Sequence, residues 1–292
     1  MNGILRWIMQ RQHRQVTLVA ALSLLPFLGV LSSGLLALVV LQRGVKQSLM
    51  TAALAMLLLA GVALASGSDP VPMLEVTGVM WGPVLLLAGL LQAYRSLNLV
   101  FQVAAILGVV AVSLLLVVLP DPVSMLGDVM GPVKEQFSVA GQELSEESWN
   151  SIFRVMPGVM TGLITLVCLT GLFVGRVWQD GLEEFAGRFG AEFRQLKLGT
   201  VLTAVSTLTI VIAMLVGGLW IENVMWVFVV LLMLQGLSLA HFLVSEGGWP
   251  MALLIVVYGL LVLLLQLALP LLAMFGYLDN WFGLRQKLAR RG

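Results

Sequence analysis

Apolar side chains fall in long unbroken blocks along this chain, at 16–41, 49–65, 71–91, 99–119, 155–175, 200–220, 224–244 and 251–276. A helix needs about 20 such residues to cross roughly 30 Å of hydrocarbon. No block shows the repeated apolar–polar alternation of a barrel strand. Lipid also forces a backbone to satisfy its own hydrogen bonds, so the pattern predicts helices. The expected fold is all-α: a polytopic integral membrane helical bundle of about eight hydrophobic segments, forming one membrane domain over 1–292. Turn formers separate neighbouring blocks, as in SGSDP (66–70) and SEGGWP (245–250).

The first and last blocks are each 26 residues long and carry internal weak points. These are Pro26 and Ser32-Ser33-Gly34 in the first, Gln266 and Pro270 in the last. Split into arms of about 13 residues, each rising about 20 Å as helix, both blocks are expected to be re-entrant or kinked. The alternative is a long, tilted single span.

Two segments have a different pattern. In 176–199 the residues Trp178, Leu182, Phe185, Phe189, Phe193 and Leu196 recur at spacings of 4, 3, 4, 4 and 3, which is one face of a helix. Gly181, Gly187 and Gly190 weaken that helix, so a broken one is expected, lying in the cytoplasmic interface or docking on a partner. Within segment 120–154, residues 134–154 have a weaker apolar pattern through Phe137, Leu144, Trp149, Ile152 and Phe153, and predict one or two amphipathic external helices able to lid a cavity.

Composition supports lipid as the solvent. Sixty per cent of residues are hydrophobic and 11% charged, against about a quarter charged in soluble domains, and the mean hydropathy is +1.02. The net charge of +1 argues against a nucleic-acid partner. Charge position says more than charge total. Lys and Arg favour cytoplasmic loops, and here they occupy the N-terminal stretch, 42–48, 92–98, 176–199 and the tail. Segment 120–154 instead carries Asp121, Asp128, Glu135, Glu143, Glu146 and Glu147 against Lys134 and Arg154. It therefore reads as an external excursion. Eight simple crossings cannot keep all the basic loops on one side. Two re-entrant blocks can, with both termini cytoplasmic, in a bacterial inner (plasma) membrane. The basic start is read as a retained cytoplasmic end.

Polar residues inside spans are expensive and so are candidates by default. Glu75, Trp81, Gln102, Gln235 and His241 are the candidate cavity or ligand residues. Ser238 and His241 share a helix face, whereas Gln235 and His241 lie about 120° apart. Gln235 and Gln266 also suit interhelical hydrogen bonding. Trp178, Phe185, Phe189, Phe193, Asp279, Trp281 and Arg285 are the candidate partner-docking residues, with Asp279 suited to capping a short helix or pairing with an Arg. Enzyme chemistry is not expected. There is no G-x-x-x-x-G-K-[ST] loop, no H-E-x-x-H and no G-x-S-x-G. One Cys and two His make no convincing metal site, so no metal or cofactor is expected.

RVWQ (176–179), GRFGAEFRQLKLG (187–199), QGLSLAHF (235–242) and GYLDNWFGLR (276–285) together resemble the YybS-like family of bacterial polytopic membrane proteins. The shared signatures are a "QG-small/apolar-HF" span and a terminal "G-L-x-D-x-W-x-x-x-R", from which Tyr277 departs. The motifs identify no reaction. That family is similar in fold to the substrate-binding membrane subunits of energy-coupling-factor transporters, which implies an internal ligand cavity and borrowed ATPase subunits. Such subunits dock on a helix rich in small residues. The chain offers Ala20-Ala21 and Ala52-Ala53-Ala55 but no clear copy of that pattern.

Two readings stay open. In one, the chain is a partner or scaffold that binds another membrane protein, or a second copy of itself, through its helices and the 176–199 segment. In the other, it is a small-molecule-binding transport subunit. The scarcity of buried ionisable residues favours the first.

Overall fold

The computed structural model describes residues 2–25, 27–139, 144–183 and 187–289. Among these residues every regular element is a helix. In chain order they are α1 (Asn2–Gln10), α2 (Gln12–Leu24), α3 (Gly29–Arg43), α4 (Val45–Ala65), α5 (Val71–Tyr94), α6 (Leu97–Val118), α7 (Pro122–Val129) and α8 (Gly131–Val139). There follow α9 (Glu146–Glu183), α10 (Arg188–Arg194), α11 (Thr200–Leu215), α12 (Leu219–Ser245), α13 (Ala252–Leu263), α14 (Leu265–Phe282) and α15 (Leu284–Ala289). The all-α helical bundle read from hydropathy is therefore the fold.

Eight apolar blocks do not become eight spans. Among the described residues, five helices are long and apolar enough to cross a membrane: α4, α5, α6, α9 and α12. Helices α3, α11 and α13 are apolar but shorter. The first and last blocks are each split in two. Leu25 takes extended backbone at the end of α2, as a residue before a proline does. Pro26 itself lies outside the described residues. Leu264, at φ −139° and ψ 54°, divides α13 from α14. Pro270 does not make that break; it sits inside α14. Gln266 stands exposed beside the break, so it holds no neighbouring helix.

The chain forms two compact units, one from 1–104 and 166–196, the other from 105–165 and 197–292. In the first unit α2 and α3 are an antiparallel hairpin. The Ser32 hydroxyl donates to the Val19 carbonyl at 2.8 Å, and Arg43 at the end of α3 donates to the Met9 carbonyl just before α2. A continuous helix would hold Val19 and Ser32 about 20 Å apart. Residues 32–41 of α3 are all buried, which suits a helix that is apolar on every side. Small residues let the end of α9 reach it. A Cβ on Gly175 would stand 2.7 Å from the Gly34 carbonyl oxygen, and one on Gly34 would stand 3.2 Å from that of Gly171. Gly171 and Gly175 form a G-x-x-x-G pair, the usual device for close helix approach in lipid.

The second unit repeats the hairpin. Leu253, Val256 and Leu260 of α13 and Ala268, Leu271 and Phe275 of α14 face the same apolar cavity beside α12. Leu253 and Leu284, from opposite ends of the hairpin sequence, both pack on Leu239, Phe242 and Leu243. Pro157 interrupts the hydrogen-bond ladder of α9. Asn223 of α12 fills the gap, accepting from Gly158 N at 2.6 Å and donating to the Arg154 carbonyl at 3.0 Å. These two groups would otherwise bond each other along the helix. The 120–154 excursion becomes α7, α8 and the first turns of α9. It is held by Phe137 edge-on to Trp149 at 5.5 Å, Trp149 on Phe153 at 5.6 Å, and a Lys134–Glu146 ion pair at 2.9 Å.

Candidate functional site

The densest polar cluster lies in the second unit, where α12 crosses α14. The two backbones touch because glycine stands on both sides. A Cβ on Gly236 would lie 1.9 Å from the Leu272 carbonyl oxygen, and a Cβ on Gly276 would lie 2.1 Å from that of Leu232. That approach buries Gln235 and Asp279 completely. A buried amide must use all its groups, and Gln235 does. Its Oε1 accepts from Leu198 N at 2.8 Å and from Asn280 Nδ2 at 2.9 Å, while its Nε2 donates to the Gly276 carbonyl at 3.0 Å.

Asp279 closes the cluster. Its Oδ2 lies 3.0 Å from Arg285 Nε and accepts from Gln235 Nε2 at 3.4 Å, and its Oδ1 accepts from Arg285 N at 3.3 Å. Arg285 Nη2 donates to Ser238 Oγ at 3.1 Å, and the guanidinium lies over the Phe242 ring at 5.9 Å. Gly283 makes the tight turn that brings Arg285 back onto Asp279, with φ +58°. Burial pulls the guanidinium pKa below its ordinary value, and the Asp279 carboxylate opposes that pull. Arginine stays charged through such a shift, so the site holds a shielded ion pair. No oxygen or nitrogen of this cluster points into a cavity described here.

A second network closes the end of α9 in the first unit. Buried Arg176 grips Glu192 of α10 through Nε at 3.1 Å and Nη2 at 2.6 Å, and donates to Gln179 Oε1 at 2.5 Å. Glu183 accepts from Gln179 at 2.8 Å and from Gln42 of α3 at 3.0 Å. Asp180 Oδ2 accepts from Phe189 N at 2.6 Å. Phe189 and Phe193 stack at 5.7 Å, and both pack on Phe173, at 5.4 and 5.7 Å.

The expected site residues therefore divide. Glu75, Trp81 and Gln102 belong to the first unit, Gln235 and His241 to the second. Glu75 is exposed, Trp81 is buried at 1% exposure and Gln102 is half-buried. Neither of the two cavities described here is lined by any of them. His241 stands apart from Gln235, its Nδ1 2.9 Å from the Leu237 carbonyl and its Nε2 3.3 Å from the Tyr258 hydroxyl. Of the docking residues, Phe193, Asp279 and Arg285 are buried within their own units and Phe189 is half-buried, so these side chains are occupied inside the chain. Trp178 is half-buried, Phe185 lies outside the described residues, and Trp281 is 48% exposed. Asn223 and the Arg176–Glu192 pair were not singled out in the sequence, and Ser238 was noted only for sharing a face with His241. Pro157-Gly158 inside an apolar block was the available signal for the first.

The two cavities are apolar. One, of about 260 Å³, is lined by Gly236, Leu239, Leu243, Val256, Leu272 and Phe275 among others. The other, of about 380 Å³, includes Thr207, Leu232, Pro270 and Tyr277. Among the described residues no group of His, Cys, Asp and Glu is placed to hold a metal ion.

The fold and these sites define an all-α, multi-pass membrane protein. No family model matches the chain, and no curated protein or solved structure matches it.

Proposed function

We propose that this chain is a non-catalytic partner or scaffold in an inner membrane, binding another membrane protein through outward apolar helix faces and the Trp281 region. One observation carries the reading: a cluster of buried polar side chains is bonded within itself and lines neither cavity. Gln235, Ser238, Asp279 and Arg285 are all buried in mutual contacts. These residues stand in two of the four stretches that carry the proposed likeness to the YybS-like family, which fits a structural use of those motifs. Outward apolar surface is ample, with Met274 at 47%, Phe275 at 47% and Phe282 at 55% exposure near Trp281. A photocrosslinking residue at Trp281 is expected to capture one discrete membrane protein, and the same probe at Val262 on the hairpin tip only lipid. Capture of lipid alone at both positions, or of ATPase subunits, would overturn the scaffold reading. A transport subunit has one observation in its favour, the 260 Å³ cavity beside α12, whose lining suits an apolar ligand.

The same proposal sets a topology of six crossings, α4, α5, α6, α9, α11 and α12, with α2–α3 and α13–α14 as re-entrant hairpins. Two sets of contacts support it. In the first unit the α1–α2 junction, the ends of α3 and α5, and the end of α9 meet through Arg43–Met9, Gly44–Gln92 and Gln42–Glu183. In the second, the end of α6 and the starts of α9 and α12 meet through Ser113–Trp220 and Arg154–Glu222, at 2.8 and 2.6 Å. Cys168 is the sole cysteine and is buried, so added cysteines report alone. In intact cells Glu135→Cys is expected to react with an impermeant maleimide, while Gln286→Cys and Arg11→Cys react only after permeabilisation. Labelling of positions 135 and 286 from the same side would refute this arrangement.

A further inference from the structure

We propose that α1, with the cations around its junction with α2, is a binding surface for the anionic headgroups of the bilayer leaflet on which it lies. α1 is strongly amphipathic, and its apolar residues do two different jobs. Leu5, Ile8 and Met9 are buried in the first unit. Ile4 and Trp7 face outward at 68% and 50% exposure, beside exposed Arg6 and Gln10. A short helix with outward apolar residues flanked by arginine sits at the headgroup level, where tryptophan is also favoured.

Arg6, Arg11, Arg14 and Arg43 gather around it. Arg14 lies 4.1 Å over the Trp7 ring and donates to the Trp7 carbonyl at 2.8 Å, which fixes the ring's pose. Arg43 donates to the Met9 carbonyl, which holds the end of α3 against the same junction, and exposed Lys46 follows in the first turn of α4. Arg6 and Arg11 are exposed. The first acidic residue in the chain is Asp69. Glu183 meets this end of α3 through Gln42 and is shared with Gln179 and Arg188. The cations are spread over an open face together with apolar side chains. That arrangement matches a lipid surface and makes no closed cradle for a single ion. Each cation near an anionic surface changes partitioning by about fivefold.

The test is native mass spectrometry of the full chain in neutral detergent with equal phosphatidylglycerol and phosphatidylcholine. The wild type is expected to retain phosphatidylglycerol preferentially. R6Q/R11Q/K46Q is expected to lower that preference on the order of a hundredfold, while R6K/R11K holds it to within a few-fold. On the wild type itself, retention is expected to fall as ionic strength rises, and millimolar inorganic phosphate is expected not to displace the lipid. Unchanged preference in the triple glutamine variant, salt-insensitive retention, or displacement by phosphate alone would each overturn the proposal.

Discussion

Asp279→Ala is expected to lower the stability of the second unit by about 3–5 kcal/mol, because it takes the adjacent counter-charge from a buried cation. Arg285 is 5% exposed and Asp279 is fully buried, with Nε and Oδ2 3.0 Å apart. Removing the carboxylate also takes an acceptor from Arg285 N and weakens the anchor of Gln235 Nε2, which lie 3.3 and 3.4 Å from it. A loss of that size is a large part of the 5–15 kcal/mol that holds a typical domain together. Asp279→Asn keeps the shape and one acceptor, so it falls between wild type and alanine. Arg285→Met alone strands the carboxylate, but the double change D279A/R285M removes both charges together. It is therefore expected to be less damaging than the two single losses added. Reversible unfolding in mixed micelles, followed by tryptophan fluorescence, measures all four variants. Additive losses would show that the pair is not the coupled unit its geometry describes.

How much of this was legible in the residues depends on range. Hydropathy blocks are local, and they became helices. The excess length of the first and last blocks was also local information, and both blocks break, at Leu25 and at Leu264. The boundaries of α9 were not legible. Its apolar middle, 155–175, is flanked by polar turns that read as separate segments, yet one helix runs from Glu146 to Glu183. Pro157 would ordinarily disturb it, and the repair comes from Asn223, 66 positions from that proline in the numbering. Gln235 was visible as a costly polar residue and Asp279 as a cap or a partner for an Arg, but their meeting depends on where two glycines let two backbones touch. The Phe face of 176–199 had the right period for a helix face. Whether that face met solvent, lipid, a partner or Phe173 is a tertiary matter that periodicity does not carry.

Gly276 and Gly236 test that tertiary matter directly. Gly276→Ala is expected to destabilise the second unit by about 2–4 kcal/mol, and Gly276→Val to prevent recovery of a monodisperse protein. The atoms in the way are backbone: Leu232 O at 2.1 Å and Gly236 N at 2.8 Å from the added Cβ. No rotamer change relieves such contacts, so α12 and α14 must separate by about 1 Å to reach ordinary van der Waals distance. Separation would stretch the bond from Gln235 Nε2 to the Gly276 carbonyl, now 3.0 Å, and loosen the grip on Asp279. Gly259→Ala in α13 is the control, since nothing lies within 4 Å of its added Cβ. There the change only restricts the unfolded chain, so it is neutral or mildly stabilising. Thermal unfolding of the purified chain separates the two cases, and indistinguishable melting of G276A and G259A would mean that the helices do not meet at Gly276. Because the crossing and the ion pair share Gln235, G276A/D279A is expected to lose less than the sum of its parts. A helix contact and a charge pair that fail together in this way are one structural element, reached from two distant stretches of sequence.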